Sequence, residues 1–134
     1  MIHGGRWNSI GQRVIYASET FAGALLEVLV HANLSQPPRN HKLVRINIPD
    51  EVAIEHIKRM SVPGWDAEDM VVSRAFGDRW IQQARSAVLR VPNIVTQGRE
   101  HNLVINPAHP QWGLISAGKP EAIAWDERLF PSAK

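Results

Sequence analysis

The sequence predicts an α+β domain built from small mixed or antiparallel sheets and a few helices. Two observations predict this fold class. Several short runs of β-branched or alternating apolar residues are bounded by Gly, Pro or Asn, as strands are, and two longer segments carry apolar residues at helical spacing. At 134 residues the chain is long enough for one domain with its own core, so residues 1–134 are taken as a single domain.

The first elements follow an opening loop rich in Gly, Asn and Ser. Residues 13–17 are predicted to form a short strand because they are β-branched and aromatic. Ser18 is predicted as the N-cap of a helix that runs to about Asn33 and ends before Pro37-Pro38. Apolar residues extend onto the side that carries Glu27, so this helix is expected to be buried on most of its circumference.

The later elements are less uniform. Alternation predicts a half-buried strand over residues 43–48, whereas residues 52–57 fit either a strand or a short helix. Val62-Pro63-Gly64-Trp65 is predicted as a turn with an aromatic plug. Residues 68–84 are predicted to form a helix that Gly77 could interrupt. Further strands are predicted at residues 87–91, 103–105 and 122–125.

The composition bears on disulfides and metal sites, on the cellular compartment and on nucleic-acid binding. The chain has no cysteine, so it forms no disulfide and no thiolate zinc site, and its six histidines lack metal-ligand spacing, so no metal is expected. No apolar run approaches the roughly 20 residues of a membrane span, and the start lacks a basic flank and an apolar core, so the cytoplasm is the expected compartment. The formal net charge is +2 with scattered Lys and Arg, which favours a mixed surface over a nucleic-acid footprint.

Glu27 is the sharpest local anomaly. A carboxylate between Leu25-Leu26 and Val28-Leu29 is costly on a buried helix unless it is paired or used. It either faces solvent on a narrow polar side beside His31, or it binds a ribose hydroxyl and stabilises the positive charge of an oxocarbenium-like transition state. The sequence leaves both interpretations open.

Three other residues are candidates with equally ordinary alternatives. Arg6 lies in a glycine-rich loop that allows close approach to a phosphate, or it is a surface arginine. Tyr16 either stacks on or bonds to a planar ring, or it is an aromatic at the edge of the core. Ser86 opens an apolar run at an element boundary, and no G-x-S-x-G elbow marks it as a nucleophile.

The segments together resemble the RES-domain family, the toxin half of Xre–RES toxin–antitoxin systems. They are Gly5-Arg6-Trp7-Asn8, Val14-Ile15-Tyr16-Ala17-Ser18, Ala24-Leu25-Leu26-Glu27-Val28-Leu29-Val30-His31, Gly77-Asp78-Arg79-Trp80, residues 86–92, and Asn102 through Asn106-Pro107 to His109-Pro110. Each motif alone is weak, but their order and spacing over nearly the whole chain are specific. In two places the chain departs from the family. It begins almost at the loop that usually follows a leading strand, so either that edge is supplied differently or the sheet is one strand shorter. It also carries Asn93 where relatives often have Ser.

The resemblance implies a fold related to ADP-ribosyltransferases and an activity on NAD as substrate. Members cleave the nicotinamide–ribose bond with water or phosphate as acceptor, and some relatives instead transfer ADP-ribose to a protein. The implied partner is an Xre-like DNA-binding antitoxin in a hetero-oligomer, with no membrane or direct nucleic-acid partner. A third interpretation, an RNA-cleaving or non-catalytic module, lacks the basic stripe and interleaved aromatics that would support it.

By position the family's site falls on four residues of this chain. Arg6 would clamp the pyrophosphate and Tyr16 would hold the nicotinamide end. Glu27 would orient the nicotinamide ribose and offset its developing charge, and Ser86 would contact the ribose or nicotinamide. These four residues are the predicted catalytic set, and with Asn8 they are the predicted NAD contacts.

Overall fold

Short strands and two helices alternate over residues 4–31 and 36–131, the part of the chain that this computed structural model describes. In chain order the elements are β1 (Ile15–Ser18), α1 (Phe21–His31), β2 (Lys42–Leu43), β3 (Ile46–Asn47), β4 (Ile54–His56), α2 (Val71–Gln82), β5 (Val88–Pro92), β6 (His101–Ile105), β7 (Ser116–Ala117) and β8 (Glu121–Ala122). Short 3₁₀ helices span Pro110–Leu114 and Glu127–Leu129.

Strands β1, β6, β5 and β4 lie side by side in that order and form the main sheet. Strand β6 runs antiparallel to both of its neighbours, and β4 runs parallel to β5. The two-residue strands pair elsewhere, β2 with β8 and β3 with β7. The predicted α+β class with small mixed sheets is confirmed. Because β1, β4 and β5 point the same way, their last residues meet the first residue of β6 at one edge of the sheet, which we call the carboxyl edge.

The two faces of the main sheet carry separate cores. Tyr16, Val104 and Leu89 are directly opposite one another in the strand register, so they share one face. That face packs against α2, and we call it the α2 face. Its buried apolar side chains are Trp7, Val14, Ile57, Trp65, Trp80, Leu89, Val91 and Val104. The opposite face carries a smaller core of Val52, Ala87, Val88 and Ile105.

The opening loop, residues 4–9, is bound to α2 through its backbone. Ser73 Oγ donates to the carbonyl of Arg6 (2.5 Å). The carboxylate of Asp78 accepts from the Ser9 N–H (2.9 Å) and from the Ser9 hydroxyl (2.5 Å). The main sheet does not include this loop, so side-chain contacts, among them those of α2, set its position.

Gly77 lies where the opening loop touches α2. A Cβ built on it would lie 1.6 Å from the carbonyl oxygen of Trp7, so only glycine fits there. The helix continues through this residue from Val71 to Gln82. The predicted interruption at Gly77 is therefore wrong, because the glycine allows a close approach of two backbones and does not break the helix.

Helix α1 differs from its prediction at its start and in its burial. Thr20 Oγ1 accepts from the Gly23 N–H (2.9 Å), so Thr20 is the N-cap and not Ser18, which ends β1. Of the described helix only Gly23 is buried, and Phe21 and Val30 are 53% and 55% exposed. The expectation of a helix buried on most of its circumference is wrong. The predicted end near Asn33 lies outside the described residues.

The structure has strands in the regions where they are predicted, but the bounds of several strands differ from the prediction. The strand predicted at 43–48 is two short strands, because its two halves pair with β8 and β7 separately. Residues 54–56 form a strand and not a short helix, and the last strand is Glu121–Ala122 instead of 122–125. Trp65 is buried and stacks on Trp7 with ring centroids 6.3 Å apart, as an aromatic plug should.

The longer of the two α-helices in the described residues has 12 residues, which is too short to cross a bilayer.

Candidate functional site

Glu27 lies at the carboxyl edge of the main sheet and is bound to it by an amide. The side-chain nitrogen of Asn102, in β6, donates to Glu27 Oε1 (3.2 Å). The Asn102 oxygen accepts from Asn93 Nδ2 (3.2 Å) and from Ser18 Oγ (3.3 Å). The Glu27 carboxylate is therefore oriented by a chain of polar groups that spans the ends of β1, β6 and β5.

The second oxygen of this carboxylate faces outward. Glu27 Oε2 lies 3.3 Å from His31 Nε2, one helical turn away, and the Glu27 side chain keeps 24% of its surface exposed. The position beside His31 agrees with the solvent-facing interpretation from the sequence, and the role toward a ribose stays a prediction. Since Oε1 is fixed by Asn102 and the side chain is partly exposed, the carboxylate is both oriented and accessible.

Tyr16 fixes the opening loop over the α2 face. Its hydroxyl accepts from the Trp7 N–H (3.0 Å) and donates to Asn8 Oδ1 (2.5 Å). A Cβ on Gly5 would lie 2.5 Å from the Tyr16 hydroxyl oxygen, so glycine is needed for this packing. Burial raises the pKa of Tyr16 to about 12, which keeps the hydroxyl protonated and able to donate.

Asn8 supports this loop from inside. It is fully buried, and Asn8 Oδ1 also accepts from the Gly5 N–H (2.9 Å). Its amide nitrogen donates to the carbonyls of Ser9 (3.3 Å) and Gln12 (3.0 Å). The structure places Asn8 beneath the loop and not at its surface, so the predicted contact with NAD would have to be replaced by an indirect effect through the loop backbone.

Arg6 joins the opening loop to the segment that precedes α2. Its Nη1 donates to the carbonyls of Trp65 and Ala67, both at 3.0 Å. Within the described residues Nε and Nη2 make no hydrogen bond, which leaves three N–H donors on a half-buried guanidinium. Arg6 can therefore hold the loop and still bind an anion.

Strand β1 links four of the five predicted site residues. Tyr16 and Ser18 are two residues apart on β1 and share the α2 face, at about 7 Å from one another. Ser18 reaches Asn102 and through it Glu27, and the Tyr16 hydroxyl holds the backbone next to Arg6 and Asn8. The Glu27 carboxylate and the opening loop are thus connected through two neighbouring positions of the same strand.

Ser86 lies apart from this group. It is buried, accepts from Trp80 Nε1 (2.8 Å) and donates to the carbonyl of Val88 (2.7 Å). It precedes Val88, at the start of β5, whereas Val91 opposite Asn102 is three residues further on, about 10 Å along the strand. The structure therefore does not bring the Ser86 hydroxyl to Glu27, and its hydrogen bonds give it a structural position beneath α2.

A cavity of about 390 Å³ opens beside the segment whose Trp65 carbonyl accepts from Arg6. It is bounded on one side by the segment 59–66, which includes Trp65, and on the other by Ile94 and Gln97. Its size is within the range of small-molecule pockets. The turn that carries Ile94 is fixed by Asn93, whose Oδ1 accepts from the Val95 N–H (2.8 Å) and the Thr96 N–H (3.3 Å).

A charged cluster on the opposite face frames the same edge. Arg90 in β5 is bound to Glu19 through both carboxylate oxygens and donates from Nη1 to His56 Nε2 (2.8 Å). The Arg90 hydrogen bond holds the pKa of Glu19 below its usual value. Burial, and then the charge of Arg90, lower the pKa of His101, which stacks on His56. With its guanidinium already paired, Arg90 is a poorer phosphate ligand than Arg6.

Sequence reasoning missed Asn102 and Asn93 as parts of the site. Asn102 enters the sequence analysis only as part of a matched segment, and Asn93 only as a departure from the family pattern. Asn102 in fact alternates with Val104 on the α2 face, so it is a polar group at an inward position of a strand. That anomaly of a polar residue in an apolar alternation was the available signal.

Comparison with known proteins assigns this chain to a family. The RES domain family model matches residues 1–126. A protein named "Prs ADP-ribosylating toxin" from a Sphingobium species is 43% identical over 136 residues, covering 98% of this chain and 84% of that protein. A "Toxin Res" from Pseudomonas putida is 35% identical, covering 94% of this chain and 86% of the relative, and one from Yersinia enterocolitica is 30% identical, covering 95% and 84%. On the extent of the family match and on these identities, the chain belongs to the RES domain family.

Proposed function

We propose that this protein is a toxin that cleaves the nicotinamide–ribose bond of NAD in the cytoplasm and so stops growth. The observation that carries the proposal is the Glu27 carboxylate, which Asn102 holds at the carboxyl edge and which keeps 24% of its side-chain surface exposed. The names of relatives support the assignment of this protein as a toxin. The chemistry of the site supports cleavage of the nicotinamide–ribose bond.

Breaking this bond develops positive charge on the ribose. The electron pair of the bond between C1′ and the nicotinamide nitrogen leaves with nicotinamide, while an acceptor oxygen forms the new bond to C1′ and loses its proton. A carboxylate beside the ribose favours this transition state over the ground state, because its negative charge faces charge that exists only there. Glu27 is the group in position to do this, and Asn102 keeps it from turning away.

The remaining residues fit the substrate by charge and shape. Three free N–H donors of Arg6 match the oxygens of a pyrophosphate, for which a planar guanidinium is well suited. Tyr16 holds the loop backbone at a fixed height above the α2 face, so its contribution to binding is through the position of that loop. Ser86 is not needed at the surface of the site in this arrangement.

Transfer of ADP-ribose to a protein is the second candidate. The 43% identical relative is named "Prs ADP-ribosylating toxin", a name that gives Prs as the protein it modifies. Both reactions share the loss of nicotinamide and differ in the acceptor, which is water or phosphate in one and a protein side chain in the other. The same Glu27 role serves both.

An antitoxin partner follows from the proposal, since a protein that consumes NAD must be held inactive in its own cell. We propose an Xre-like DNA-binding antitoxin. The exposed apolar side chains of α1, including Phe21 and Val30, lie on the helix that carries Glu27 and would be covered in such a complex. Replacing both by serine should weaken rescue of growth by the coexpressed antitoxin while leaving NAD cleavage intact.

The proposal is tested by following NAD over time with purified protein, with and without phosphate and with and without Prs. Release of nicotinamide that Glu27→Ala abolishes supports cleavage. Dependence on phosphate, or a label from adenine-labelled NAD that stays on Prs, identifies the acceptor. Nicotinamide release at the wild-type rate from Glu27→Ala would reject the role of Glu27, and no release from the wild type under any condition would reject the proposed function.

A further inference from the structure

We infer that the cavity between segment 59–66 and the turn at Ile94–Gln97 is the subsite for the adenine end of the dinucleotide. This inference rests on the proposed function and adds to it a second recognition element, distant from the bond that breaks. It also predicts which part of the substrate these residues recognise.

The cavity is connected to both halves of the candidate site. On one side Arg6 binds the carbonyl of Trp65, a residue of the cavity wall (3.0 Å). On the other side Asn93 bonds to Asn102, which orients Glu27, and the turn that Asn93 fixes supplies Ile94 of the opposite wall. A ligand bound by Arg6 and Glu27 would therefore lie against segments that also form the walls of this cavity.

Position along the substrate selects the adenine end. Nicotinamide is bonded directly to the ribose that Glu27 would hold, so it must lie beside Glu27. Adenine is separated from that ribose by the pyrophosphate and the second ribose. The cavity is separated from Glu27 by the side chains of Asn102 and Asn93 and by the turn that follows, which is the arrangement expected for the far end.

The walls suit a flat base with an amino group. Met60 and Ile94 provide exposed apolar surface, and the largely buried Trp65 lies behind them. Asp66 supplies an acceptor for an exocyclic amine such as that of adenine. The side chain of Arg59 adds a planar guanidinium on which a base can stack.

Arg59 is held in place by the turn. Its Nη1 donates to the carbonyl of Gln97 (3.3 Å), and its aliphatic part packs under Gly98. A Cβ on Gly98 would lie 2.5 Å from Arg59 Cδ, and the backbone there has φ of +82°, so glycine is favoured for both reasons. The wall is thus an ordered contact between two segments and not a chance gap between loops.

The test separates the two ends of the substrate. The double variant Met60→Ser/Ile94→Ser removes apolar wall without disturbing the core, because the two residues are 82% and 37% exposed. Ile54→Ser is the matched control, since Ile54 is 45% exposed and lies on β4 away from the cavity. Affinities for adenosine monophosphate and nicotinamide mononucleotide are measured by titration calorimetry, which does not require turnover.

We expect the double variant to bind adenosine monophosphate about tenfold more weakly, with its affinity for nicotinamide mononucleotide unchanged. In turnover with NAD the KM should rise by a similar factor and kcat should stay within about twofold, as loss of uniform binding predicts. Equal effects on both mononucleotides, no effect on either, or no binding of adenosine monophosphate by the wild type would overturn the subsite. Failure of the wild type to release nicotinamide while it binds adenosine monophosphate as expected would instead reject the proposed reaction and leave the subsite supported.

Discussion

The amide nitrogen of Asn102 donates to Glu27 Oε1 across 75 residues of sequence. The bond joins the helix that carries the proposed catalytic carboxylate to the strand at the centre of the sheet. Asn102 is in turn held by Ser18 and Asn93, so it can point its nitrogen only toward Glu27. The side chain of Asn102 thus acts as a positioning residue for Glu27.

Replacing Glu27 by glutamine should separate charge from position. Glutamine keeps an oxygen that accepts from Asn102, so the fold and the orientation should be retained. The rate of nicotinamide release should fall by about 10²-fold or more, because the group facing the developing charge becomes neutral. Matching thermal unfolding curves for the two proteins would serve as the control, and a rate within a few-fold of wild type would refute the electrostatic role.

Substitutions of Asn102 can distinguish a role in positioning Glu27 from a purely structural role. In Asn102→Ala we expect kcat to fall about 10- to 100-fold with little change in KM, because the carboxylate loses its orientation. In Asn102→Asp the acidic limb of the pH–rate profile should move to higher pH, since a second carboxylate beside the first disfavours ionisation of the pair. If the two variants lose only stability and keep the wild-type profile, Asn102 does not position Glu27.

Ser86 should prove structural when its hydroxyl is removed. Ser86→Ala leaves Trp80 Nε1 without its acceptor in a buried site. We expect the free energy of unfolding to fall by about 1 to 3 kcal/mol, measured by urea denaturation. The folded enzyme should keep kcat within about threefold. A fall in kcat of a hundredfold or more at unchanged stability would restore the catalytic role that the family resemblance implies.

Gly77→Ala should destabilise the protein although alanine is the better helix former. Intrinsic propensity favours alanine by about 1 kcal/mol, but its Cβ would meet the Trp7 carbonyl. The clash should outweigh the propensity and lower the free energy of unfolding by about 2 kcal/mol or more. Gly113→Ala is the matched control, because nothing lies within 4 Å of its added Cβ. Equal stability of the two variants would show that the loop does not need this close contact.

The raised pKa of Tyr16 should make the free energy of unfolding decrease at alkaline pH. Burial raises its pKa from 10.0 to about 12, so between these values the unfolded chain loses the phenolic proton while the folded chain keeps it. Stability from this group is therefore complete below pH 10 and is lost as pH rises toward 12, by about 2 to 3 kcal/mol in all.

Direct observation is possible because Tyr16 is the only tyrosine in the chain. Tyrosinate absorbance of the folded protein should rise well above pH 10 and should fall into the ordinary range in urea. Tyr16→Phe should abolish the pH dependence in this window, and it should also lower stability because the Trp7 N–H loses its acceptor. A midpoint near 10 in the folded protein would contradict the burial of this hydroxyl.

The fold class and the long elements were predictable because they depend on local patterns. Helix α2 and strands β5 and β6 carry their apolar periodicity within a few residues of sequence. The N-cap of α1 was not predictable in the same way, since Ser18 and Thr20 are both good caps and only the pairing of Ser18 with Asn102 in the sheet decides between them. Residues 43–48 alternate like one strand, but their division follows from two separate partners more than 65 residues away.

The site residues also divide into those marked by local sequence and those that depend on long-range contacts. Arg6, Tyr16 and Glu27 lie within the first 27 residues, where motif and resemblance single them out, and their roles remain proposals. The polar position of Asn102 in an apolar strand is visible in the sequence, but its contact with Glu27 is not, because sequence periodicity does not encode it. The role proposed for Ser86 rests on the resemblance, and its burial depends on Trp80, which packs against it in three dimensions.

The binding of the opening loop to α2 has a consequence for when the site forms during synthesis of the chain. Ser9 needs Asp78, which is 69 residues later, and Glu27 needs Asn102, which is later still. A chain growing on the ribosome therefore makes the proposed reactive residues first and the groups that position them last. More than two thirds of these 134 residues must have emerged before the site can form. A cell that makes this chain together with a partner therefore has that interval in which the partner can bind the chain before the site is active.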